Sequence, residues 1–378
     1  MTHIINPSHH PSHTMKSTIL TLLTVTGLLL TACIRKTVSH EDYPTTYTIA
    51  YEDGETFDWY SHIEVEEVVP FEFSDSSMIS LIQGCQVTDD RILVHDYKQH
   101  LLFVFDRKGN YLYSIHNQGN GPGEYLDIRS FCTSADGKDI LINDGYKLLS
   151  YSLADGTFRQ ARPLNLEVDN PPRNVLFASC INPSDSTFFL WTDMGDHTLY
   201  KYDGKEMTGL KPRSNYQLSG KKFFADYEGN YLVCPDYGEF GVSTVDGEKR
   251  FYIDFGDKAI PEDLLPQSAA DIRKLEKEPY FKTLFSVLES RTGIYVSALS
   301  PKTAYYDIYI DKASGKILKG DTDPKARLNI LQVEGDAFYA LFYPEYVEDD
   351  SPLKQAVARS IPSADNPLLI KFRMKPVN

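Results

Sequence analysis

Residues 92–110 read ILVHDYKQHLLFVFDRKGN, an apolar run ending in Asp96 and a second apolar run ending in a turn from Asp106 to Gly109. The pattern returns as ILINDGYKLLSYSLADGTF at 140–158, FFLWTDMGDHTLYKYDGKE at 188–206 and YLVCPDYGEFGVSTVDGEK at 231–249. The first Asp of each copy falls at Asp96, Asp144, Asp193 and Asp236, in steps of 48, 49 and 43 residues. The second falls at Asp106, Asp155, Asp203 and Asp246. Self-similarity at this period marks a repeated β unit.

Two degenerate copies complete the set. GIYVSALSPKTAYYDIYIDKASGK, from Gly293, keeps the second turn at Asp311 and Gly315, while AFYALFYPEYV from Ala337 and NPLLIKF from Asn366 supply two separated strands. A further short apolar segment precedes each copy, as in GCQVTDD at 84–90 and SFCTSADGKD at 130–139. Four strands per unit, split by Asp and Gly turns, predict an all-β fold. The expected architecture is a six-bladed β-propeller of four-stranded antiparallel blades with short helical insertions. HIEVEEVVPFEF at 62–73 is expected to pair with Leu368–Phe372 in the last blade, closing the ring.

Residues 1–32 stand apart. Met15-Lys16, an apolar run from Ile19 to Leu30 and then Leu30-Thr31-Ala32-Cys33 have the form of a secretion signal ending in a lipobox. Met15 is then the expected start and Cys33 the lipidated residue. Residues 33–45 read as a tether and residues 46–378 as the propeller. The expected location is the outer membrane, facing the periplasm, because Ile34-Arg35-Lys36 carries neither Asp beside Cys33 nor an acidic cluster.

The chain has 38 Lys and Arg against 53 Asp and Glu, a formal charge of −15. This argues against nucleic acid, whose phosphates demand a basic face. It also leaves the acyl chains on Cys33 as the membrane contact. Cys85, Cys132 and Cys180 recur at steps of 47 and 48 in the first strands of consecutive units, and are expected as buried thiols too far apart to bridge. Residues 260–278 are expected to be helical, and residues 345–367 to loop out with a helical turn.

In an up-and-down blade the first strand begins and the second strand ends at one rim, so the inter-blade connections gather there. The most distinctive connection is Gly119-Asn120-Gly121-Pro122-Gly123-Glu124-Tyr125. It lacks the GK[ST] ending of a phosphate loop and is expected to be a tight turn with glycines at positive φ. Glu124 and Tyr125 are candidate ligand contacts.

GNGPGEY after the hairpin FDRKGNYLYSI, the lipobox Cys and the closing NPLLIKF resemble the bacterial six-bladed β-propeller lipoproteins, a TolB-like and NHL-like group carrying GxGPGEY at this position. The resemblance spans most of Glu64 to Lys375. It implies a propeller in the cell envelope and carries over no catalytic residues.

Basic residues recur where the chain approaches the inner strands: Arg129, Arg173 with Asn174, Lys221-Lys222, Lys282 and Arg327. Convergence on one channel mouth would focus positive potential for an anionic glycan or sugar acid. Pairing with Glu124 and Asp127 is the alternative. The repeated Asp residues suggest calcium, although an Asp at a strand end caps the following turn just as well. No His pair has metal-ligand spacing and no Ser lies in a GxSxG elbow.

The sequence therefore points to a monomeric, lipid-anchored envelope protein, without a required cofactor. It is expected to bind carbohydrate or an envelope protein at the inter-blade rim through Glu124, Tyr125, Arg129, Arg173, Asn174, Lys222, Lys282 and Arg327. A metal-dependent lactonase- or lyase-like enzyme and a structural scaffold are the alternatives.

Overall fold

Alternation of buried and exposed residues along short strands builds six separate antiparallel sheets. The computed structural model describes residues 40–164, 177–182, 187–191, 196–203, 205–213, 223–275, 277–302, 305–322, 327–343, 355, 357 and 366–377. Residues 1–42 form one unit, described only at the 3-10 turn His40–Asp42, and residues 43–378 form the other.

Two strands, β1 (Thr46–Thr48) and β2 (Ile63–Pro70), precede the repeats. Blade I comprises β3 (Ile82–Val87), β4 (Arg91–Asp96), β5 (Leu101–Asp106) and β6 (Tyr111–Ile115). Blade II comprises β7 (Ser130–Thr133), β8 (Asp139–Asn143), β9 (Lys147–Ser152) and β10 (Phe158–Pro163). Blade III follows with β11 (Phe177–Asn182), β12 (Thr187–Trp191), β13 (His197–Tyr202) and β14 (Met207–Pro212). Blade IV has β15 (Phe223–Ala225), β16 (Tyr231–Val233), β17 (Gly241–Thr244) and β18 (Lys249–Asp254). Blade V has β19 (Leu284–Glu289), β20 (Gly293–Leu299), β21 (Tyr305–Asp311) and β22 (Ile317–Asp321). In blade VI, β23 (Asn329–Glu334), β24 (Ala337–Phe342) and β25 (Leu368–Met374) are completed on the outside by β2. The fold is the six-bladed propeller expected from the repeat.

The ring closes as the sequence suggests. β2 runs antiparallel to β25, from Ile63 opposite Met374 to Pro70 opposite Leu368. The path leading to β2 was not legible in the repeat. β1 pairs in parallel with β18, giving blade IV a fifth strand. Thr56 then bridges Asp321 of blade V, with Phe57 N donating to Asp321 O at 3.0 Å and Asp321 N to Glu55 O at 2.8 Å. This close passage requires Gly320, since a Cβ there would lie 2.6 Å from Phe57 N. The N-terminal segment is thus a strap across blades IV, V and VI in turn. Its packed part begins at Tyr43, whose ring meets Tyr252 at 5.7 Å, slightly earlier than the expected tether boundary.

Trp59 pins the strap. It opens a helical turn, Trp59–His62, capped by Asp58, which accepts from Tyr60 N at 3.0 Å. The buried indole packs on Phe57 and Tyr295, and its Nε1 donates to Asp307 Oδ2 at 3.0 Å. Tyr295 donates to the other oxygen, Oδ1, at 2.9 Å, so the fully buried carboxylate is satisfied from two sides.

Residues 260–278 are less helical than expected. One helix, Ala269–Leu275, follows two 3-10 turns, Gly256–Lys258 and Glu262–Leu264. Pro261, Pro266 and Pro279 punctuate the segment, and each removes a backbone donor that a longer helix needs. Most of 345–367 lies outside the described residues. Cys85 and Cys132 are buried at equivalent places in β3 and β7; Cys180 takes the same place in β11, where side chains are not described.

Replacing Trp59 by Ala should destabilise the domain by about 3–5 kcal/mol in denaturant unfolding, as expected for a large buried side chain. Trp59→Phe should cost about 1–3 kcal/mol, because Asp307 then loses a buried donor. A loss below 1 kcal/mol for Trp59→Ala would show that the strap does not hold the ring.

Candidate functional site at the inter-blade rim

Strand register places the start of each inner strand beside the end of the second and the start of the third: Ile82 faces Asp96, which faces Leu101. The first Asp of the repeat sits at this junction and works as a clasp. Asp96 is fully buried and accepts from Ser80 N at 2.5 Å, Leu81 N at 3.2 Å, Gln99 N at 3.0 Å and Gln99 Nε2 at 2.8 Å. Burial alone would raise its pKa, but these hydrogen bonds outweigh it and hold the carboxyl below its ordinary value. Asp144 accepts from Tyr146 N at 2.9 Å and Lys147 N at 2.8 Å, and Asp236 pairs with Lys211 Nζ at 2.5 Å. Asp193 lies outside the described residues. Among the described residues no group of three or more His, Cys, Asp or Glu is placed to hold a metal ion.

The GNGPGEY loop folds on itself. Gly119 N donates to Tyr125 O and Tyr125 N to Asn117 O, both at 2.9 Å, and Gly121 N donates to the Glu124 carboxylate at 2.8 Å. None of Gly119, Gly121 and Gly123 has positive φ, contrary to expectation. Close approach demands them instead. A Cβ on Gly119 would overlap Glu124 Oε2, and one on Gly123 would lie 2.9 Å from the ring of Phe158.

The described contact residues differ in burial and in partners. Tyr125 is fully buried, its hydroxyl within hydrogen-bond reach of His100 O at 2.8 Å and Ile115 O at 3.0 Å, so it is a core residue of the loop. Lys282 is fully buried too, donating to Glu278 O at 3.0 Å and Tyr280 O at 2.9 Å. Arg327 is 14% exposed, donates to Tyr295 Oη at 2.9 Å and Ser297 Oγ at 2.8 Å, and stacks over Tyr305. These two cations support backbone and the Asp307 cluster rather than the expected channel mouth. Glu124 is exposed but turned into its own loop. Arg129 remains partly exposed, 3.5 Å from Asp127. Cys33, Arg173, Asn174 and Lys222 lie outside the described residues.

Residues that the repeat did not single out give the rim of blades I and II its character. Met78, Leu81, Tyr97, Leu126 and Tyr146 are all exposed there. Contacts connect them into an arc. Tyr97 N donates to Leu81 O and Gln99 Nε2 to Met78 O, the Tyr97 ring lies 6.0 Å from His100, and His100 Nδ1 lies 3.4 Å from Asp127 Oδ1. Leu126 and Tyr146 both meet Asp144 through their backbone N–H groups. Behind the arc, His95 is buried against Phe131 with no hydrogen-bond partner for its Nε2. Burial pushes this imidazole down to about 4, against the opposing pull of Asp127 and Asp96. Alternation could place Tyr97 and Tyr146 in turns, but their exposure depends on which neighbouring loops leave them uncovered.

Two outcomes follow from this geometry. Gly119→Ala should cost about 1 kcal/mol, and most of that penalty should vanish in a Glu124→Ala background, because the clash is with a side chain; an unrelieved penalty would implicate the backbone. His95 should titrate near 4 by NMR. Its folded pKa lies below the unfolded value of 6.5, so its share of stability is complete above pH 6.5 and is lost as pH falls toward 4. A His95→Leu chain should lack that part of the acid sensitivity.

The fold is shared with solved structures. It is similar to a Bacteroides fragilis protein described as exported, at 17% identity and a TM-score of 0.69, covering 88% of this chain and 99% of that one. It is also similar to a member of the DUF4221 family from Bacteroides vulgatus, at 16% identity and a TM-score of 0.51, covering 83% and 97%. No curated protein matches the chain. The model of the family described as a domain of unknown function, DUF4934, matches residues 48–373, and this chain belongs to that family.

Proposed function

We propose that this protein is a lipid-anchored module of the cell envelope that binds a partner protein, without covalent chemistry, at the rim of blades I and II. The observation carrying this reading is the exposed arc of Met78, Leu81, Tyr97, Leu126 and Tyr146. The largest apolar side chains, Trp59, Trp191 and Tyr295 among them, are buried instead. An exposed apolar patch fringed by polar groups is the usual form of a protein contact, and Tyr and Met are enriched in such contacts. Here the fringe is His100, Asp127, Arg129 and Lys98, so the partner is a polypeptide surface with an apolar centre and mixed charge around it. The lipobox at Cys33 supplies the anchor, with the outer membrane as its site. The exported relative from Bacteroides fragilis agrees with an envelope location.

Photo-crosslinking in cells tests the surface. A photoreactive residue at Tyr97 or Tyr146 should give one protein adduct, absent when the probe is moved to Lys205 at the opposite turns and lost when Leu81→Ser and Leu126→Ser are added. A sugar adduct, or equal labelling from Lys205, would overturn the reading. Palmitate labelling should be lost in Cys33→Ser.

A further inference from the structure

A second, unrelated feature lies between blades II and III. The face of blade II turned toward blade III carries a cleft of about 160 Å³, lined by Asp139, Leu141, Leu148, Ser150, Gln160 and Arg162, with Phe188 of β12 opposite. Register explains the arrangement. Leu141, Ser150 and Gln160 lie in one cross-strand row, and Arg162 faces Leu148 in the next. Gln160 and Arg162, two apart on the outer strand β10, therefore reach the same face.

Both side chains stand without a hydrogen bond or ion pair among the described residues, in a protein of charge −15. Arg159 Nε lies 2.8 Å from Asp139 Oδ1 and offsets that carboxylate, leaving Arg162 as the net positive charge of the cleft. The geometry between Arg159 and Asp139 is not that of a hydrogen bond, so the buried Oδ1 still lacks a hydrogen-bond donor. Ser150 Oγ donates to Asp139 Oδ2 at 3.0 Å and keeps its own acceptor capacity.

From these groups we infer that the cleft binds a hydroxylated carboxylate of single-ring size, a sugar acid. The planar fork of Arg162 matches a carboxylate, and the Gln160 amide offers both a donor and an acceptor for ring hydroxyls. Leu141, Leu148 and Phe188 meet the apolar face of the ring. The volume suits one ring, since a cavity of about 150 Å³ holds benzene. This site is independent of the rim on blades I and II, and so of the partner reading.

Calorimetric titration of the full chain with D-glucuronate, D-glucose and inorganic phosphate tests it. Glucuronate should bind and raise the unfolding midpoint, and both glucose and phosphate should bind at least about tenfold more weakly. Arg162→Ala should lose about tenfold or more in affinity while the unliganded midpoint stays put, because Arg162 is exposed and unpaired. Arg162→Lys, with charge but no fork, should recover part of the loss. Leu81→Ser with Leu126→Ser should leave glucuronate binding intact, which separates a failure here from a failure of the rim. Absence of binding at about 10 mM glucuronate, phosphate equal to glucuronate, glucose equal to glucuronate, or Arg162→Ala without effect would each overturn the proposal.

Discussion

The seven-residue strand β25 has to meet β2, nearly the whole chain away, and closure of the ring depends on that pairing. An open set of six sheets would present two unpaired edges and leave the flanks of blades I and VI in water. Register at the seam is enforced by burial: Val69 and Leu369 face each other within one apolar cluster that also takes in Phe103 and Phe105 of blade I. Asn366, almost fully buried, secures the same junction by donating to Glu72 O and Ser77 O and accepting from Ile79 N. The seam is therefore both a sheet and a polar lock.

Several charged groups link neighbouring blades. Arg107 of blade I donates to the Tyr339 hydroxyl of blade VI at 2.7 Å, and Tyr339 in turn donates to Glu334. Lys312 of blade V pairs with Glu289 at 2.8 Å and covers the Tyr227 ring of blade IV, while Arg250 of blade IV joins the same Glu289 at 3.1 Å. Lys211 of blade III reaches Asp236 and Glu239 of blade IV. Such partly buried pairs specify which blade faces which more than they add net stability, since desolvation offsets much of their attraction. Lys282 and Arg327 are committed in the same way, to backbone carbonyls and to the Asp307 cluster. A cation that fixes a blade interface is already committed.

The parts of the fold that were legible follow from period and turn chemistry. Asp and Gly at fixed intervals report the hairpins directly: Asp106 accepts from Lys108 N and Asn110 N, and Gly109 takes φ +85°. The seam was legible because two β-rich runs lacked other partners. Depth was not legible. Tyr125 and Lys282 look like surface residues in a loop, yet both are fully buried, because loops of this propeller pack under their neighbours. The glycines of GNGPGEY were assigned to backbone conformation when side-chain crowding by Glu124 and Phe158 is the cause. Nor does a one-dimensional pattern show that Gln160 and Arg162 are left without partners; that depends on the spacing of two whole blades.

The strap has a consequence for the order of events in the life of the chain. Residues 43–70 leave the ribosome ahead of every blade, but β2 has no partner until Leu368–Met374 have been made, and the Trp59 indole N–H has no acceptor until Asp307 exists. Blades I to III can form their hairpins locally and β1 can dock once β18 is made, whereas β2 must wait through almost the entire synthesis. A chain that delays its own closure in this way cannot complete its ring until its last strand appears, so its final seven-residue strand acts as the timer of the whole fold.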